Sequence, residues 1–138
     1  MQTQRPTAAF IGASWGALLA GGCAFLAGLW NAEMQLNEKG YYLTLLLYGL
    51  FAAVSLQKTV RDRAEGVAVT TMYVGLCWIS LLAALLLLTV GLWNATLAPS
   101  EKGFYAMSFV LSLFAVVAVQ KNVRDVRAIE DAPRRVSE

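Results

Sequence analysis

Three polar blocks occur twice in this chain, each pair separated by 63 residues, and any chemistry has to reside in them. The first couples an indole to an amide, at Trp30-Asn31 and at Trp93-Asn94. The second sets a carboxylate beside an ammonium, at Glu38-Lys39 and Glu101-Lys102. Gathered at one end of a helical bundle, these eight groups would form a polar cluster able to hold a ligand. The third is Gln57-Lys58-x-Val60-Arg61-Asp62, matched by Gln120-Lys121-x-Val123-Arg124-Asp125. Its Lys and Arg fall three residues apart on one helix face. There they can bind anionic lipid phosphates, at about 1 kcal/mol per charge near the surface, or a protein partner. Each aspartate can also pair with the lysine four residues before it.

Each block has a structural reading beside the functional one. Trp30 and Trp93 suit the membrane–water interface, where an amphipathic indole belongs. Asn31 and Asn94 can take a left-handed helix cap. Asn37 and Ser100 are favoured N-caps, with Glu38 and Glu101 then complementing the helix dipole. The third block can serve as a stop-transfer anchor.

Other chemistry is excluded by what is missing. The chain contains no histidine, and its two cysteines, Cys23 and Cys77, each stand alone in apolar surroundings. A metal site is not expected, because neither thiol has a carboxylate nearby, and the cysteines read as packing residues. No nucleophile–base pair or phosphate-binding loop occurs, so neither enzymatic activity nor a cofactor is expected. A net charge of +2, with the basic residues at the ends of apolar runs, argues against nucleic acid.

The elements that must position these blocks are membrane spans. Hydrophobic residues make up 58% of the chain and charged residues 14%, against roughly 45–50% and about 25% in soluble domains. Four runs carry no charge: Ala8 to Trp30, Gly40 to Leu56, Val67 to Trp93 and Gly103 to Val119. A span needs about 20 residues. Lys58 and Lys121 extend the two shorter runs by snorkelling. The first run is too long for a signal h-region of roughly 7–15 residues, and reads as a retained anchor. Lipid offers no hydrogen-bond partners, so each run must be helical or belong to a barrel. The period-2 alternation of a barrel strand is absent.

Nine basic residues flank one side of these runs and two, Lys39 and Lys102, the other. The excess of Lys and Arg marks the cytoplasm, so both termini are expected inside. Gly28–Asp62 aligns without gaps to Gly91–Asp125, with 18 of 35 positions identical. Each copy has two spans, so both enter the membrane in the same direction, a parallel repeat. The expected fold is an all-α membrane protein with four transmembrane helices as two tandem hairpins, residues 8–63 and 67–126. Residues 127–138 are expected to be a disordered cytoplasmic tail. In the first helix Gly12, Gly16, Ala20, Ala24 and Gly28 recur every four residues. Such a ridge permits close helix packing, within the bundle or across a homodimer.

At GLWNA, NEKGYY and QKTVRD the sequence resembles the bacterial YiaA/YiaB inner-membrane proteins, built from a two-helix domain. The resemblance covers both hairpins and implies a multi-pass protein of the bacterial inner membrane. It carries no activity and no catalytic or ligand residues. The second copy departs from the first at Thr96 to Pro99, so the two outer loops are not expected to match. The function expected is association with itself as a homo-oligomer, with membrane lipids through anionic headgroups at the cytoplasmic face, or with a membrane partner. The alternative is a small transporter or channel formed by an oligomer.

Overall fold

The computed structural model describes residues 4–137, with side chains through residue 132. Four helices account for nearly all of them: α1 (Ala8–Asn31), α2 (Leu36–Ala64), α3 (Thr71–Asn94) and α4 (Pro99–Ser137). All four are long and apolar enough to cross a membrane. At 1.5 Å per residue the shortest extend about 36 Å, more than a hydrocarbon core of about 30 Å.

The helix ends follow local chemistry, with two departures from expectation. Thr7 and Thr70 cap α1 and α3, accepting from the amides of Phe10 at 3.1 Å and Tyr73 at 3.3 Å. Asn37 and Ser100 are not caps: α2 and α4 begin one residue earlier, at Leu36 and Pro99. Proline is favoured at a first helical position, where its missing N–H costs nothing. Nor do Asn31 and Asn94 adopt a left-handed cap. Both stay helical, and their side-chain amides donate to Ala27 O and Val90 O at 2.8 Å. Gly66, with φ 81°, is the only positive φ among the described residues. It closes α2 with a Schellman pair, Val67 N to Asp62 O at 2.8 Å and Gly66 N to Arg63 O at 3.2 Å.

The helices of one hairpin do not pack mainly on each other. α1 lies along α4, α3 lies along α2, and α2 and α4 form the central pair; α1 touches α2, and α3 touches α4, only slightly. The reason is shape. A side chain at Gly21 would meet Ser112 and Ser108 of α4, one at Gly28 would meet Phe104 and Tyr105, and one at Gly91 of α3 would meet Tyr41 and Tyr42 of α2. Small residues thus accept bulk from the other hairpin. Phe25, Tyr42, Leu45, Leu46, Ala84, Leu88, Tyr105 and Phe109 fill the centre. Tyr42 stacks on Tyr105 at 6.3 Å across the central pair, and Phe25 meets Tyr105 edge-on at 5.6 Å.

α1–α4 is the most extensive pair, yet not through the regular ridge. Ser14, Gly21, Phe25 and Leu29 are its buried residues. Gly12, Gly16 and Ala20 are exposed, Ala24 is half-buried, and of the three glycines only Gly28 would set a side chain close against a neighbour. The stretch from Gly12 to Ala20 therefore faces outward, while Gly28 packs against α4. The tail also differs from expectation: α4 continues through residues 127–137. Arg127 to Ala132 contains no glycine or proline, and several of its residues are strong helix formers.

Candidate functional surfaces at the two ends of the bundle

The third block forms a two-helix ion lattice where the termini lie. Lys58 reaches Asp62 at 2.6 Å and Lys121 reaches Asp125 at 2.8 Å, the spacing-predicted pairs. The arginines cross between helices: Arg61 of α2 pairs with Asp125 of α4, and Arg124 of α4 pairs with Asp62 of α2 at 2.6 Å. Glu65 joins both, 2.6 Å from Arg61 and 2.8 Å from Arg124. Those guanidiniums, Arg61 first, hold the Glu65 carboxyl below the usual glutamate range. Asp125 is buried, its side chain 5% exposed.

The lattice changes what this block offers to a ligand. Arg61 and Arg124 spend their donors inside the protein. Lys58 and Lys121 remain more than half exposed. Gln57 and Gln120 are half-buried, and Gln57 Oε1 has no hydrogen-bond partner. Sequence reasoning missed the crossed pairs and Glu65. The signal for the former was the block itself: two parallel copies of Arg-Asp on adjacent helices place each arginine beside the other aspartate.

At the loop end the first two blocks terminate helices. Lys39 donates to Trp30 O at 3.1 Å, and Lys102 to Trp93 O at 3.4 Å. Each ammonium thus satisfies a carbonyl orphaned at a helix end and sits on the negative end of the dipole. Tyr105 donates to Gly28 O at 2.7 Å, and Tyr41 to Leu87 O at 2.6 Å. Trp30 and Trp93 are each 83% exposed.

Two clefts open at this end. One, of about 450 Å³, is lined by Glu33, Glu38, Tyr41, Tyr42 and Asn94. The other, of about 730 Å³, is lined by Asn31, Glu33, Ser100, Glu101 and Tyr105. The eight residues expected to form one outer cluster are divided: Glu38 and Asn94 line the first cleft, Asn31 and Glu101 the second, and both lysines serve the backbone.

The buried polar contacts between helix pairs are not alike. Asn122 of α4 donates to Ser14 of α1 at 3.2 Å, while Thr59 of α2 lies 3.8 Å from Cys77 of α3. Cys77 is buried and Cys23 is exposed. Among the described residues no group of His, Cys, Asp or Glu is arranged to hold a metal ion.

Four long apolar helices, with their charges gathered at the ends, define a multi-pass helical membrane protein. The chain belongs to the yiaA/B two helix domain family, whose model matches residues 10–62 and 73–125, two segments offset by 63. It is 59% identical to the Inner membrane protein YiaA of Escherichia coli (strain K12) over 117 residues, 85% of this chain and 81% of that protein. It is 40% identical to the Uncharacterized membrane protein YubF of Bacillus subtilis (strain 168) over 63 residues, 45% of this chain and 72% of that protein. No solved structure gives a significant match.

Proposed function

We propose that this chain acts by lateral association in the inner membrane, without catalysis, and that its first partner is a second copy of itself. The observation that carries this reading is the packed centre. Phe25, Tyr42, Tyr105 and Phe109 occupy the middle, and the ion lattice covers the terminal end of α2 and α4. A protomer built this way offers its outer faces, not an internal path.

Gly12, Gly16 and Ala20 of α1 form an exposed strip where another helix can approach closely. Cys23 lies seven residues beyond Gly16, two turns along the same face, and it too is exposed. The excess of basic residues at the terminal end orients that end to the cytoplasm. Lys58 and Lys121 then present their ammonium groups to anionic headgroups.

Thiol cross-linking at Cys23 in native membranes tests the reading. A dimer band that Gly16→Leu removes is the expected result. Absence of cross-linking, together with a monomer in native-lipid particles, would overturn it. Solute flux through reconstituted protein lacking that contact would establish the transporter alternative.

A further inference from the structure

The two repeats differ by one hydroxyl at the loop end, and the difference leaves a polar group unused in the wall of a cleft. Tyr42 and Tyr105 hold equivalent positions, as do Gly91 and Gly28. The Tyr105 hydroxyl donates to Gly28 O at 2.7 Å. The Tyr42 hydroxyl lies beside Gly91, 3.2 Å from where a Cβ would stand, yet makes no hydrogen bond there. The bond on that side comes instead from Tyr41, which donates to Leu87 O at 2.6 Å and has the hydroxyl-free Phe104 as its counterpart. Tyr42 is only 5% exposed. Its hydroxyl is nevertheless not sealed in, unlike Gln57 Oε1 and Asn122 Oδ1, which are both unpartnered and enclosed. Tyr42 and Gly91 both line the cleft of about 450 Å³, and the hydroxyl opens there.

The rest of that cleft selects the charge of what can bind. Glu33 and Glu38 line it, and no lysine or arginine does. Among the described residues neither carboxylate joins an ion pair, whereas Asp62, Glu65 and Asp125 are all paired. Lys39, the nearest cation in sequence, is held on Trp30 O. Glu38 lies four residues before Tyr42, so the two share a face of α2. Tyr41 and Tyr42 meet edge-on at 5.2 Å and put aromatic surface, favourable to a cation, in the same wall. Met34 and Leu97 add apolar lining.

We propose that this cleft binds a primary amine carrying a short apolar body. Its ammonium has three N–H donors, for the Glu33 and Glu38 carboxylates and the Tyr42 oxygen. The Tyr42 proton is then free for the Glu38 carboxylate. A quaternary ammonium has no N–H and leaves the hydroxyl unused. An anion meets two carboxylates and no counter-charge. The second cleft, whose tyrosine is already spent on Gly28 O, lacks this third acceptor. The site needs one protomer only, so it stands apart from self-association.

Isothermal titration calorimetry tests this on the full chain in phosphatidylcholine nanodiscs, with empty discs as the blank. The probes are 2-phenylethylamine, its N,N,N-trimethyl derivative and 2-phenylethanol. The primary amine should bind saturably, one per chain, and each of the other two at least tenfold more weakly. Tyr42→Phe deletes an atom that bonds nothing in the protein, so folding should be unchanged. Loss of its charge-assisted hydrogen bond should weaken the amine on the order of tenfold. Glu38→Gln should weaken it at least as much, and Glu101→Gln, in the other cleft, should not. Heat no greater than the blank would overturn the proposal, as would equal binding of the alcohol or affinity indifferent to Tyr42→Phe. Equal sensitivity to Glu38→Gln and Glu101→Gln would reduce the effect to general surface charge and overturn it too.

Discussion

Replacing Gly21 by alanine adds one methyl group and should destabilise the bundle, although alanine is the better helix former. The new Cβ would lie 2.8 Å from Ser112 Oγ, 3.0 Å from Ser112 N and 3.2 Å from Ser108 O. Two of those atoms are backbone, so α4 must move to relieve the clash. Ser112 Oγ is also bonded to Ser108 O at 2.7 Å, which limits its retreat. Overpacking of this kind costs about 1–3 kcal/mol. The gain in helix propensity returns about 0.5–1 kcal/mol, leaving a net loss of about 1–2 kcal/mol. Gly22→Ala, on the same helix and outside the strip proposed for self-association, is the matched control. Its Cβ has nothing within 4 Å, so only the propensity gain remains. The two variants should therefore differ by about 2 kcal/mol, near thirtyfold in the unfolding equilibrium. Tryptophan fluorescence during titration with a denaturing detergent measures the difference, using the four native indoles. Equal stability of the two variants, or greater damage from Gly22→Ala, would refute the assignment of faces on α1.

The ion lattice supports two further expectations. Asp125→Asn leaves Arg61 and Lys121 without their carboxylate. Breaking a buried pair costs about 3–5 kcal/mol, and the exposure of Lys121 reduces this to about 1–3 kcal/mol; a double-mutant cycle with Arg61→Gln should recover a favourable coupling, and additivity would contradict the crossed pairing. Glu65 has its folded pKa lowered by Arg61 and Arg124, so its contribution is complete above the ordinary glutamate range. That contribution is lost as pH falls through the lower folded value. The stability difference between the native chain and Glu65→Gln should accordingly shrink on acidification, and unfolding midpoints measured from neutral to acidic pH would expose a constant difference.

The spans were legible because charge is absent from them and abundant between them. Lys58–Asp62 and Lys121–Asp125 were legible because a helix dictates i,i+4 neighbours. Which face of each helix packs was not. In these runs apolar residues lie all round the helix, so periodicity does not distinguish a lipid-facing glycine from a core-facing one. Gly12 and Gly21 look alike in the chain; only the bulk of Ser112 opposite one of them separates their roles. The caps failed for a related reason. Asn31 and Asn94 had a nearby carbonyl to bond within their own helices, and Lys39 and Lys102 arrived from the next helix to satisfy the ends. The crossed arginines and Asn122–Ser14 depend on helix pairing, which only the three-dimensional exchange of partners between hairpins decides.

That exchange has a consequence for how the molecule comes into being. During synthesis α1 emerges first and α4 last, yet each is the other's main neighbour. The leading helix must wait in lipid, its serine and glycine face unmatched, until the final segment inserts. The early half thus cannot mature alone, and a chain cut in the α2–α3 loop would give two fragments that each lack what the other carries. Mixed in one bilayer, such fragments should reassemble side by side, and two identical single-unit chains could build the same four-helix arrangement by lending each other a helix.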